Sequence, residues 1–499
     1  MEKTMKNNRI ILGATHSIIE PLGLLYLSSI AREEKYIPKI VMAKNGFDEF
    51  DKAVKEFNPA LLGFSVYTGN HIQVFNYLDK IRGRGIEVAV GGPHATYFPE
   101  ESAKHADYVV ISEGFDGFRK ILQGKAEPGI IPLTKREEFP DSDRGDFYNE
   151  NKEYDDSPIK SVIASMGCPN SCSYCYNSSK LDSLEGVLNE KQMTDMASVI
   201  GSGRRLFPLS RRPVDDVIRE VTNIKRLSPK TKMIYFQDDV FGANIEWTRE
   251  FAKKYKNMGL PFHAQMRFEN ADPDNELCRE RLVLLRNAGC TGLTFAIESA
   301  NPLIREEVLN RKMDEELMYR TLTQLSRMDY KVRTEQMLGL PCGATTKETP
   351  INLEADLETL ALNVRLKKET GLPMMAWSSI FAPYRGTKIG EYCRQHGFYH
   401  GENNDVPETF FQRSVLRFPK KWVGPELITG MNDAWMQEED QNKYRDDMQL
   451  LRDLFSYFVT IPEGHKLAER FIKSKDHSYI NLSRSTRHHL YDSVLYNPK

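Results

Sequence analysis

The sequence predicts an α/β protein made of two alternating strand–helix blocks followed by a mostly helical C-terminal region. Three observations predict it. Short apolar runs separated by segments of helical period recur over residues 9–130, they recur again over residues 159–383, and no strand pattern survives after Arg385-Gly386. Apolar strands of four to eight residues spaced by amphipathic helices belong to parallel sheets covered on both faces. The expected architecture is a Rossmann-like front domain (1–130), a linker (131–157), a partial (β/α)6 TIM-like barrel (158–385) and a mostly helical C-terminal domain (386–499).

In the front block, Arg9–Gly13 is the first strand and Leu22–Glu33 a helix. Strands follow at Lys39–Val41, Ala60–Tyr67, Ile86–Val90 and Tyr108–Ile111, with helices at Phe50–Phe57, His71–Arg84 and Pro99–Lys104 between them. Ligands of such sheets bind beyond the carboxyl ends of the strands. The loops there are Ser65-Val66-Tyr67-Thr68-Gly69-Asn70, Gly91-Gly92-Pro93-His94 and Ser112-Glu113-Gly114. The acidic, aperiodic stretch Lys135–Ser157 reads as a linker or a surface-hugging connection.

The second block opens with a strand at Ile159–Ser165. Further strands are expected at Lys232–Phe236, Phe262–Met266, Gly292–Ile297, Lys331–Leu338 and Met374–Phe381. Helices are expected at Val214–Leu227, Trp247–Met258, Asn275–Ala288, Pro302–Asn310, Asp314–Met328 and Leu353–Thr370. Six such units suit an open or partial barrel with its chemistry at the strand carboxyl ends.

Charge and composition exclude several function classes. The 499 residues carry 68 basic and 70 acidic side chains. A formal net charge of -2 gives no general polyanion-binding surface, so no nucleic-acid partner is expected. No apolar run approaches the length of a membrane span, and the first twenty residues carry no export signal, so the expected location is the cytoplasm. Seven cysteines are too few for a disulfide scaffold, and clustered ones are weighed first as metal ligands. Cys278, Cys290, Cys342 and Cys393 stand alone and read as small buried hydrophobes.

The other three form Cys168-Pro169-Asn170-Ser171-Cys172-Ser173-Tyr174-Cys175, directly after the first strand of the second block. Zinc wants a fourth ligand, for which His94 or His263 is available in principle. A cubane cluster normally takes four thiolates. Three leave one iron open, as a catalytic cluster requires.

This CxxxCxxC loop, with an aromatic residue before its last cysteine, resembles the signature of the radical S-adenosylmethionine enzymes. The resemblance implies a 4Fe-4S cluster on Cys168, Cys172 and Cys175 that cleaves S-adenosylmethionine to a 5'-deoxyadenosyl radical, with Tyr174 beside it. It implies that Gln237, Asp238 and Asp239 grip the methionine amino group, a helix N-cap being the alternative for one aspartate. Arg267 is implied to pair with the methionine carboxylate or else to form a surface salt bridge. Arg311, read as lying on a helix, is a second carboxylate partner. Glu298 resembles the ribose-side acid, and Leu338-Gly339-Leu340-Pro341 the loop along adenine.

The front block resembles the cobalamin-binding domain that precedes one large subclass of these enzymes. The match rests on Pro21–Leu27, Gly63–Asn70, Gly91–His94, Ser112–Gly114 and the Phe236–Phe241 spacing. It implies cobalamin contacts from Ser65, Tyr67, Thr68, Gly69, Gly91, Gly92, Pro93, His94, Glu113 and Gly114. Glycines at strand ends let backbone approach a large flat ligand. A flavodoxin-like domain without cofactor is the alternative. No Asp-x-His-x-x-Gly loop is present, so the lower face of cobalt is expected to be histidine-free, with Tyr67 or Thr68 near it.

The resemblance implies a cobalamin-dependent radical methyltransferase that places a methyl group from methylcobalamin on an unactivated carbon of a peptide or protein residue. The domain order is similar to that of a protein glutamine C-methyltransferase of methanogens and of natural-product methylases. The alternatives are ring rearrangement or cyclisation, methylation of a small molecule, and a non-catalytic iron–sulfur or corrinoid carrier. Reduced flavodoxin or ferredoxin is the implied electron donor. Trp377, Tyr384 and Arg385 are candidate substrate contacts, against core packing and local salt-bridging. Arg484, Arg487, His488 and His489 offer a surface for a peptide or anionic group, against plain solvation.

Overall fold

The computed structural model describes residues 6–15, 17, 19–135, 138–201, 203–341, 351–420 and 435–474. His16, Cys342 and the tail residues Arg484, Arg487, His488 and His489 lie outside them. The chain forms two compact units, one of residues 1–170 with 176–237 and the other of 171–175 with 238–499.

The first unit is built on a six-stranded parallel sheet. Its strands are β1 (Arg9–Thr15), β2 (Ile37–Ala43), β3 (Leu61–Ser65), β4 (Glu87–Gly91), β5 (Tyr108–Val110) and β6 (Gly129–Ile131), ordered 2-1-3-4-5-6. Successive residues of each strand point to opposite faces. Ile11, Leu62, Val88 and Val109 enter one core, while Ile10, Leu12, Leu61 and Ala89 enter the other. Both faces are covered, which is why these strands read as continuous apolar runs. The order reverses between β1 and β3, and the crevice at such a reversal is where ligands of open α/β sheets sit.

Three front elements escaped the sequence. β6 pairs in parallel with β5 and is too short to show a period. The helices Pro93–Tyr97 and Phe115–Leu122 follow glycines that read as loop. The described residues of the stretch expected to be a linker are partly buried. They include the helices Gly145–Glu150 and Lys152–Asp156, and Arg144 is fully buried. Arg144 meets buried partners distant in the chain, Glu20 and Glu220, which local composition does not reveal.

The second block carries strands β7 (Ile159–Val162) and β8 (Met233–Phe236), paired in parallel within the first unit. In the second unit β9 (Phe262–Met266), β10 (Cys290–Glu298), β11 (Lys331–Leu338) and β12 (Met375–Ile380) pair in parallel in chain order. Helices between them start at side-chain caps: Asn244, Asn275 and Asp314 each accept a backbone N–H of the first turn. Two features differ from expectation. A helix, Glu190–Ile200, follows the cysteine loop, and the predicted helix Pro302–Asn310 is a π-helical turn at Ile304–Val308. Among the described residues the C-terminal region contains the helices Lys388–Gln395, Glu438–Thr460 and Gly464–Ser474. The fold is thus a Rossmann-like domain, a partial (β/α)6 barrel and C-terminal helices. Among the described residues no helix is long and apolar enough to cross a membrane.

Candidate active site

The cysteine loop begins at a backbone turn that only glycine suits. Gly167 has φ +76°, and a Cβ there would lie 2.8 Å from the carbonyl oxygens of Phe207 and Pro208. Cys168 follows, buried, with the Asn170 amide 3.4 Å from its sulfur. Arg205 gathers the loop carbonyls: its guanidinium donates to Pro169 at 2.8 Å and to Asn170 and Asn177 at 2.7 Å. No motif spacing announces Arg205, which lies 30 residues beyond the last cysteine of the loop. Replacing it with alanine should cost roughly 10–100-fold in cluster retention, the usual loss when an outer partner of metal ligands is removed. Iron per chain after gel filtration measures this; unchanged iron would remove the clamp from the account.

In the second unit residues 171–175 are held by backbone bonds. The Ser173 amide donates to Leu309 O at 3.1 Å and the Asn310 side chain to Ser171 O at 2.8 Å. Cys172 is buried, and Arg267 Nη1 stands 3.4 Å from its sulfur. None of Cys168, Cys172 and Cys175 is in a disulfide. N–H donors thus stand against the sulfurs of Cys168 and Cys172, the kind of contact that metal-bound sulfur accepts. The residues therefore suit a metal cluster. His94 and His263, the fourth ligands weighed for zinc, are engaged elsewhere. His263 is buried with Nε2 2.7 Å from Thr294 Oγ1, and burial holds it well below its ordinary range.

Arg267 is buried rather than on the surface, and its other nitrogen pairs with Glu269. Glu269, unread in the sequence, leaves its second carboxylate oxygen buried without a hydrogen bond. Glu298 ends β10 at a register shift, with φ +65°. Such strain in a side-chain-bearing residue collects at functional positions. The Tyr174 hydroxyl donates to Glu298 Oε1 at 2.6 Å, and Arg311 Nη1 to the Tyr174 oxygen at 3.1 Å. Burial pushes the Glu298 carboxyl up, against the pull of Arg311 and the Tyr174 hydrogen bond. Arg311 lies past the π-helical turn rather than on a helix, and its buried Nε has no hydrogen-bond partner.

Asp238 is buried and Asp239 exposed, while Gln237 donates to Ser161 Oγ at 3.2 Å. Neither aspartate caps the next helix, since Asn244 does so. Leu338 is fully buried, and the following Gly339 amide is held 3.1 Å from both oxygens of Asp356. Burial holds that carboxyl well above its usual range. Trp377 stacks on Phe411 with the Arg333 guanidinium over its ring, and Arg385 pairs with Glu402.

The front loops have two tiers. Ser65, Tyr67 and Pro93 are exposed, Gly91, Gly92, Glu113 and Gly114 half-buried, and Thr68, Gly69 and His94 buried beneath them. Gly92 serves a purpose the sequence did not suggest. At φ +95°, its Cβ would lie 2.8 Å from Val66 O, so it lets the β4 loop pack on the β3 loop.

Comparison with known proteins matches this architecture. Residues 8–122 match a B12 binding domain and residues 162–345 the radical SAM superfamily. An uncharacterized methyltransferase of Pyrococcus horikoshii is 25% identical over 75% of this chain and 78% of its own. Cytidylyl-2-hydroxyethylphosphonate methyltransferase of Streptomyces wedmorensis is 22% identical over 82% and 84%. The fold resembles the radical S-adenosylmethionine methyltransferase TsrM of Kitasatospora setae (TM-score 0.55, 15% identity, 79% of this chain and 78% of that). It also resembles the cobalamin-dependent enzyme OxsB (TM-score 0.59, 14% identity, 99% and 73%). The chain thus matches a B12 binding domain ahead of a radical SAM domain, and its fold is like that of TsrM and OxsB.

Proposed function

We propose that this chain is a cobalamin-dependent radical methyltransferase that methylates an unactivated carbon. The observation that carries the reading is the thiol loop: three cysteines outside any disulfide, fixed by backbone bonds and approached by N–H donors. When bound, the cluster supplies the electron that splits S-adenosylmethionine into a 5'-deoxyadenosyl radical, and cobalamin supplies the methyl group.

The protein's own residues bind and orient. Cys168, Cys172 and Cys175 ligate the cluster. Arg311, with a spare buried N–H, holds the methionine carboxylate, with Arg267 as its neighbour in charge. Gln237, Asp238 and Asp239 receive the amino group. Glu298, oriented by Tyr174, accepts from the ribose, and the backbone of Leu338 and Gly339, tied to Asp356, lies along adenine. On the front domain Ser65, Tyr67, Gly91, Gly92, Pro93, Glu113 and Gly114 form the exposed and half-buried tier for cobalamin, while Thr68, Gly69 and His94 support it. Holding reactants in one geometry is the protein's main contribution to such a reaction.

The substrate named for the phosphonate methyltransferase and the tryptophan bound to TsrM are compact molecules. They keep a small molecule as the second reading, beside the peptide or protein residue proposed as the acceptor. Nothing in these likenesses favours the glutamine C-methyltransferase of methanogens. The electron donor proposed is a reduced flavodoxin or ferredoxin, and the location the cytoplasm.

The test uses protein purified without oxygen and reconstituted with iron, sulfide and cobalamin. With S-adenosylmethionine and a strong reductant, both 5'-deoxyadenosine and S-adenosylhomocysteine are expected, with corrin retained. Deoxyadenosine alone, without retained corrin, would leave a radical enzyme and end the methylation reading.

A further inference from the structure

Within the first unit His71, His94 and Glu101 bring ligand-type atoms within 4.8 Å of one another. Their geometry does not suit a metal. The imidazoles are stacked, with centroids 4.2 Å apart and planes at 26°. A metal lies close to the plane of each ring that binds it, along the nitrogen lone pair, and stacked rings do not share such a point. The Gly69 amide also donates to His71 Nδ1 at 3.1 Å. In the neutral ring this leaves the proton on Nε2, the wrong tautomer for ligation through that atom.

The same bonds tie down a loop. Thr68 Oγ1 lies 2.9 Å from His94 Nδ1, and Gly69 is held by His71. The Tyr67 amide donates to Asn70 Oδ1 at 3.0 Å, and Asn70 reaches Thr15 on β1 at 3.1 Å. Three consecutive residues are thus each tethered by a different side chain. The two imidazoles are fully buried. His94 Nε2 has no hydrogen-bond partner and points at Glu101, 3.6 Å away.

We propose that His71, His94 and Glu101 are positioning residues that hold Tyr67-Thr68-Gly69 from behind and so set the environment of the corrin face this loop meets. The proposal rests on the cobalamin reading above. His94 does not touch the cofactor in this account. It orients the Thr68 hydroxyl, Glu101 steadies the imidazole from the half-exposed side, and His71 fixes the Gly69 amide. The sequence grouped His94 with direct cobalamin contacts because it follows Gly91-Gly92-Pro93; its burial beneath the loop moves it one layer back.

The test uses the full chain with His94→Phe, His94→Asn, Thr68→Val and the double variant His94→Phe/Thr68→Val. Phenylalanine keeps the stack on His71 and the tilted ring contact with Phe98 but removes the polar nitrogen. Asparagine puts a polar atom back near Nδ1. Cobalamin affinity, the electron paramagnetic resonance of the cob(II)alamin form, and amide exchange of residues 67–71 in cobalamin-free protein are read. Each of His94→Phe and Thr68→Val should weaken cobalamin binding by roughly tenfold, the worth of one buried hydrogen bond. Both should change the cobalt signal in the same way and speed loop exchange. The double variant should go no further, and His94→Asn should restore most of the wild-type behaviour. Additive losses in the double variant, or a wild-type signal with wild-type loop exchange in His94→Phe, would overturn the proposal. Stoichiometric zinc lost in Glu101→Gln would replace it with a metal centre. A wild-type chain that holds no cobalamin would sink the corrin reading and this proposal's cofactor part together, while exchange still decides separately whether the histidines hold the loop.

Discussion

Cys172→Ala is expected to abolish 5'-deoxyadenosine formation and to strip iron from the reconstituted protein. The loss should exceed about a hundredfold, because removing mere outer partners of a metal site already costs 10–100-fold. Cys172 is buried, and its carbonyl accepts the Cys175 amide at 3.2 Å, a bond that alanine keeps. The neighbouring anchors, Ser173 to Leu309 and Asn310 to Ser171, are backbone or amide contacts that do not involve the thiol. The loop should therefore remain folded while one ligand is gone. Unchanged far-ultraviolet circular dichroism together with lost iron would separate a chemical from a structural failure. A variant that retained four irons and cleaved S-adenosylmethionine would remove Cys172 from the ligand set.

Glu220→Ala should be the most destabilising single change outside the site, by about 3–5 kcal/mol, because it breaks a buried ion pair from one side. Glu220 accepts from Arg144 at 2.7 Å and from Arg212, and the three side chains are each 1% exposed. Arg144 also donates to Glu20 at 2.6 Å and to Ser161 O at 2.7 Å. Two guanidiniums balance two carboxylates. Removing one carboxylate leaves a buried cation with no counter-charge. The first transition in a guanidinium titration of the full chain measures the loss, and a change under about 0.5 kcal/mol, the size typical of a surface substitution, would contradict it.

The same residue carries a pH dependence. Burial alone would push the Glu220 carboxyl up, but Arg144 and Arg212 beside it outweigh that, and it sits below its ordinary range. A carboxyl whose folded pKa is lowered contributes in full above its unfolded pKa of about 4.3 and loses that contribution as pH falls through the folded value. Wild-type stability should therefore fall below about pH 4, and Glu220→Gln should remove that part of the fall.

Much of the fold was legible because periodicity reports which side of a strand or helix is buried. Helix Val214–Leu227 and strands Phe262–Met266 and Lys331–Leu338 have the predicted ends, since apolar spacing and flanking breakers agree there. β6 was not legible because three residues carry no period. The stretch around Arg144 was misread for a different reason. Its aperiodic, charged composition reads as a linker or surface-hugging connection, yet Arg144 meets Glu20 from 124 residues away and Glu220 from 76 residues away.

The candidate site divides along the same line. The cysteine spacing, the glycines at strand ends and the polar residues after β8 are local features, and the sequence alone determined them, together with the alternating architecture. Tertiary structure alone decided that Arg205 clamps the cysteine loop and that Asp356 holds Gly339. It also decided that Gly92 makes room for Val66 and that His94 stands behind Thr68. Burial follows from local apolar pattern, whereas the partner of a buried charge or polar hydrogen is chosen by which distant segments the fold brings within about 3 Å of one another.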